Sequence, residues 1–153
     1  MNIGKKFEAV LAKSWAASNI NLIRANLVDT GAERPADERI DFKDFRVFNE
    51  LKSTAADYFN IRNIKPHQMK SLIEFEKKFT DCYGLVSIEF FMYKSAIIVR
   101  LYDLLDYCKK NNTSNLYFSD IPKLKCVFFA DMIDGLYDLS RFEEFLYELK
   151  TKE

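Results

Sequence analysis

Apolar residues recur at steps of three and four near the start of the chain, where Phe7, Val10, Leu11 and Trp15 share one side. That spacing predicts an amphipathic helix over residues 4–18. Residues 20–28, with Ile20, Leu22, Leu27 and Val28, suit a strand, and residues 29–36 read as a loop around Gly31 and Pro35. Residues 38–42 and 45–53 predict a hairpin turning at Lys43-Asp44. A helix over 41–59 competes with it, because Phe42, Phe45, Phe48 and Leu51 follow a three-residue step.

Pro66 sits where the first turn of a helix accepts proline. Met69, Leu72, Ile73, Glu76 and Phe79 then form a mostly apolar stripe reaching toward Tyr83-Gly84. Residues 85–91 and 96–101 predict a second hairpin around 92–95, followed by a helix over 103–110 that ends at Asn111-Asn112. Residues 126–132 are a strand or a buried helix. Residues 139–149 form a helix with Phe142, Phe145, Leu146 and Leu149 on one face. This order predicts an α/β fold, a central mixed β-sheet flanked by helices.

At 153 residues with 48% hydrophobic content, one domain with a substantial core is expected. Nothing approaches the roughly 20 apolar residues of a membrane span. The polar, basic start lacks the apolar run of a secretory signal, so an intracellular, cytoplasmic location is expected. Cys82, Cys108 and Cys126 lie far apart without a CxxC, which reads as reduced thiols rather than zinc ligands. The 23 basic and 23 acidic residues cancel, so the overall charge does not favour a nucleic-acid partner. Lysines and arginines nevertheless crowd the first half, while residues 131–144 are acidic.

The chemistry concentrates between Pro35 and Gln68. Asp37 and Glu50 on paired strands offer two carboxylates to a hard divalent cation. Lys52 lies two positions beyond Glu50, on the same strand face. With a turn at Lys43-Asp44, residue 42 faces 45, so Asp37 faces Glu50 and Asp41 faces Arg46. Asp37 is therefore preferred to Asp41 as the first acid. Alone, Glu50 and Lys52 also suit a solvated surface, and Glu8 suits a helix-surface partner of Lys5 or Lys13. Arg62 and His67, the sole histidine, match an R-x4-H ribonuclease spacing, but Pro66 interrupts the helix that pattern needs.

Four elements in order resemble the PD-(D/E)xK nucleases, and within them the Holliday-junction resolvases of the archaeal Hjc and bacterial RecU types. Gly4-Lys5-Lys6-Phe7-Glu8 is similar to their opening helix. Pro35-Ala36-Asp37 stands for the Pro-Asp element with one inserted alanine, and Glu50-Leu51-Lys52-Ser53-Thr54 matches the E-x-K-S-T strand. The run from Ile64 to Leu72, with His67-Gln68 at its centre, resembles the next helix start, and Tyr83 to Phe91 the strand after it.

The resemblance implies a restriction-endonuclease-like core over about 2–105; the last third has no counterpart in it and is expected to form an extension of extra C-terminal helices over about 106–153. It further implies Mg²⁺, replaceable by Mn²⁺, on Asp37, Glu50 and the Leu51 carbonyl. Lys52, Glu8 and Gln68 are the expected catalytic residues. Lys5, Lys6, Arg24, Thr30 and His67 are the expected DNA contacts. The activity expected is resolution of branched double-stranded DNA by a homodimer. A nuclease acting on duplex or flap DNA is the alternative, and a non-catalytic interaction domain is the reading from another class.

Overall fold

The computed structural model describes residues 3–18, 21–27 and 36–152. Thr30, Gly31 and Pro35 lie outside them. Helix α1 (Ile3–Ser18) leads to strand β1 (Leu22–Leu27). Strands β2 (Glu38–Phe42) and β3 (Arg46–Thr54) form the hairpin, so the helical alternative over 41–59 does not occur. The alternation of faces explains the choice. Ile40, Phe42, Phe45, Val47 and Leu51 are buried on one side of the pair, and a helix would have scattered them around its axis.

A short strand β4 (Tyr58–Asn60) and a single 3₁₀ turn lead into helix α2 (Pro66–Lys78). Strands β5 (Cys82–Phe90) and β6 (Ser95–Arg100) follow, then helix α3 (Leu101–Lys110) and strand β7 (Asn115–Tyr117). Strands β8 (Phe128–Ile133) and β9 (Leu136–Tyr137) and helix α4 (Phe142–Thr151) complete the described chain. The C-terminal extension thus carries α4, and also two strands that join the sheet.

The main sheet has seven strands in the order β1-β2-β3-β5-β6-β8-β9. Every neighbouring pair is antiparallel except β3 and β5, which run parallel and are linked through α2. Strands β4 and β7 form a separate small ladder. One face of the main sheet packs on α1 and α4 through Phe7, Leu11, Trp15, Phe142 and Leu146. The other packs on α2 and α3 through Leu72, Leu101, Leu104, Val86 and Ile97.

Two features differ from the expected stripe of α2. Tyr83 and Gly84 belong to β5, and Phe79 lies past the helix and is 55% exposed. Glu76, whose side chain is 5% exposed, holds the Arg100 guanidinium, with 2.8 Å to its Nε, while its other oxygen accepts from Gly84 N–H at 2.9 Å. Gly84 is required by close approach. A Cβ there would meet the Leu72 Cβ and carbonyl oxygen, each at 2.8 Å.

Candidate active site

The β2–β3 register pairs Glu38 with Asn49, Arg39 with Phe48, Ile40 with Val47 and Asp41 with Arg46. Phe42 N–H donates to the Phe45 carbonyl at 2.8 Å, which closes the turn. Extending the ladder by one residue sets Asp37 opposite Glu50. The ladder itself stops at Glu38. Leu51 is the next residue whose N–H points toward β2, and the Asp37 carboxylate takes that N–H at 2.9 Å. In an extended strand the N–H and C=O of one residue point to the same side. The Leu51 carbonyl is therefore directed into the gap beside Asp37, while the Leu51 side chain anchors the site in the core.

Asp37 is 6% exposed and Glu50 only 1%. Glu50 shares its strand face with Lys52, whose ammonium lies 3.8 Å from the Glu50 carboxylate. Gln68 joins the two. Its amide nitrogen donates to Glu50 Oε1 at 3.0 Å, and its carbonyl oxygen accepts from Lys52 Nζ at 3.2 Å. The same oxygen accepts from Lys65 N–H at 2.9 Å, at the opening turn of α2. A helix start leaves backbone N–H groups without helical partners, and a glutamine in the first turn can reach back to one. Pro66 fixes where that turn begins. Gln68 therefore aligns α2 and the Glu50–Lys52 pair at once.

The remaining expected residues are placed as follows. Glu8 on α1 lies 4.0 Å from Lys5, and its charge reaches Glu38. Lys5, Lys6 and His67 are exposed. Arg24 on β1 donates through Nε to Asp41 at 2.7 Å, and Arg39 does the same at 3.2 Å. Asp41 is thus a buried arginine anchor. The three cysteines are buried and free, their thiol pKa values raised chiefly by desolvation.

Glu38 was not singled out from sequence, although its parity is a signal. It shares a face with Ile40 and Phe42, where a carboxylate is out of place. It is fully buried, and Oε1 accepts from Trp15 Nε1 at 2.9 Å and Asn49 Nδ2 at 3.0 Å. Asn49 in turn accepts from the Ser87 hydroxyl at 2.8 Å, so one polar chain links α1, β2, β3 and β5. Among the described residues Glu38 Oε2 has no hydrogen-bond partner. Burial pushes the Glu38 carboxyl up to about 7, helped by the negative charges of Asp37 and Glu8 and opposed by the two donated bonds. Glu89 on the same side accepts from Tyr137 O–H at 2.6 Å and Ser53 O–H at 3.3 Å, which raises the Tyr137 pKa further above its already desolvated value.

Among the described residues no group of three or more His, Cys, Asp or Glu side chains could hold a metal ion. Two buried carboxylates and one carbonyl are an all-oxygen set. That set fits a hard cation which uses one or two carboxylates and keeps several of its own waters.

No family model matches this chain, and no curated protein matches it. Among solved structures, it is similar to Hjc from the archaeal hyperthermophile Archaeoglobus fulgidus, a Holliday junction resolvase. The TM-score is 0.46 at 15% identity, covering 62% of this chain and 75% of that one.

Proposed function

We propose that this protein is a Mg²⁺-dependent, structure-selective DNA endonuclease that resolves four-way junctions. The observation that carries the reading is the buried cluster in which Gln68 bridges Glu50 and Lys52 beside Asp37. It combines with the E-x-K-S-T match, which supplies the nuclease assignment. Bound by Asp37, Glu50 and the Leu51 carbonyl, Mg²⁺ would supply Lewis acidity and an activated water.

The chain's own groups do the rest. Lys52, held by Gln68 and partly shielded from solvent, places a positive charge where negative charge develops on the phosphorus oxygens. Gln68 limits the rotamers of Lys52 and Glu50, so little reorganisation is needed on reaction. Glu8 on α1 adds negative charge that reaches Glu38, next in the chain to Asp37. Symmetrical cutting of two strands calls for two active sites, for which a two-fold dimer is the economical arrangement. Such an enzyme would act on DNA in the cytoplasm. No helix among the described residues is long and apolar enough to cross a membrane.

The test is a substrate panel of four-way junction, flap and linear duplex with Mg²⁺, Mn²⁺, Ca²⁺ or EDTA, read on sequencing gels, with sedimentation for the oligomeric state. Paired, symmetric incisions in the junction with Mg²⁺ or Mn²⁺, and none with EDTA, are expected. Equal cutting of every DNA would remove the resolvase assignment and keep the nuclease. Absence of metal-dependent cutting would remove both.

A further inference from the structure

We propose that Arg24, Arg39 and Arg46 form a clamp for the phosphodiester backbone of DNA, oriented by the buried Asp41. The inference rests on the nuclease reading for what is done to the bound DNA, while the clamp itself stands on separate residues.

Alternation along β2 puts Asp37, Arg39 and Asp41 on one face, and along β3 it puts Arg46, Phe48, Glu50 and Lys52 on the same one. The ladder sets Arg46 opposite Asp41 and Phe48 opposite Arg39. Both Arg24 and Arg39 are anchored through Nε on the single Asp41 carboxylate, at 2.7 and 3.2 Å. Asp41 is 6% exposed in its side chain, whereas Arg24 is 53% and Arg39 40% exposed. Their charge thus faces solvent from a fixed base. Two guanidinium groups held on one carboxylate, with Arg46 opposite it in the ladder, leave a local excess of positive charge.

Two of the nearby acids are paired with lysines, and a third keeps its charge against a tyrosine hydroxyl. Glu74 lies 3.9 Å from Lys70, Asp81 lies 3.2 Å from Lys150, and Asp44 accepts from Tyr147 O–H at 2.6 Å. Arg46 belongs to the walls of two adjoining grooves of about 420 and 330 Å³, the second also lined by Arg39, Ser71 and Lys78.

The occupant follows from the chemistry. Planar forks recognise phosphate oxygens by paired hydrogen bonds, and arginine is favoured for that contact. The clamp would hold phosphates of the DNA backbone where the three arginines reach solvent.

The experiment measures affinity of the full chain for a four-way junction and an equal-length duplex by anisotropy, over a salt series, with Ca²⁺ in place of Mg²⁺. The proteins are the wild type, Arg46→Ala, Arg39→Ala with Arg46→Ala, and Lys110→Ala at the end of α3 as a control. Each lost phosphate contact should lower the slope of log affinity against log salt by about 0.9 on duplex DNA. Among junctions carrying one neutral methylphosphonate at successive positions, at least one should weaken the wild type and leave Arg46→Ala indifferent.

Should the double variant misfold by melting analysis, the exposed Arg46→Ala alone decides. Unchanged slope and affinity in Arg46→Ala would overturn the clamp, and persisting cleavage would leave the nuclease standing. Arginine-dependent binding without metal-dependent cutting would keep the clamp and remove the nuclease. No DNA binding by the wild type would overturn both.

Discussion

Replacing Glu38 by glutamine tests the buried carboxyl behind the candidate site. In the unfolded chain this group ionises near 4.5, and in the fold near 7. Below 4.5 both states hold the proton, and stability owes nothing to pH through this group. Between the two values the unfolded chain releases its proton while the fold retains it, so stability falls as pH rises. Above about 7 both are ionised and the loss is complete. At about 1.4 kcal/mol per tenfold change, the loss is about 3 kcal/mol.

The amide of Glu38→Gln cannot ionise, but keeps an oxygen to accept from Trp15 and Asn49. Urea denaturation of both proteins, in EDTA from about pH 4.5 to 8.5, isolates the effect because the other titrating groups are common to both. The variant should gain about 3 kcal/mol relative to the wild type across that range, whatever the offset at the acid end. Two curves running parallel in pH would refute the reasoning, since they would mean that Glu38 titrates alike in both states.

Lys52→Ala should reduce cleavage by at least about a hundredfold, the scale of losing one transition-state charge contact. Its DNA affinity in Ca²⁺ should stay within a few fold, and gel shift beside cleavage on one preparation checks this. Asp37→Asn should abolish metal-dependent cutting, whereas Asp41→Asn should retain it and weaken DNA binding, since Asp41 anchors Arg24 and Arg39. Single-turnover rates rank the two, and the opposite order would mean that the ligands are misassigned. Gly84→Ala should destabilise the fold by about 1–3 kcal/mol through overpacking, because its methyl group would lie 2.8 Å from Leu72. Thermal melting measures it, and an unchanged midpoint would show that α2 can move off β5 at no cost.

Local pattern determined much of this protein. The three- and four-residue spacing of Phe7, Leu11 and Trp15, and of Phe142, Phe145 and Leu149, defines helices whose buried faces are those residues. Strand parity and the turn at Lys43-Asp44 give the register that sets Asp41 against Arg46 and carries Asp37 to Glu50. These are consequences of backbone geometry, with periods of 3.6 and 2, and they need no distant partner.

Tertiary packing decided what each face meets. Gln68 joins Glu50 and Lys52 only because the crossover between β3 and β5 lays the start of α2 across β3. Glu38 looks like any strand carboxylate until Trp15, 23 positions away, closes over it and removes water. Asp41 could be read as a second metal candidate until β1 brought Arg24 against it. Strand parity also could not show that β8 and β9 extend the sheet, since short apolar runs suit a strand and a buried helix alike. In each case the deciding contact is long-range. Parity tells which way a side chain points, and only the packed fold supplies the group that it meets.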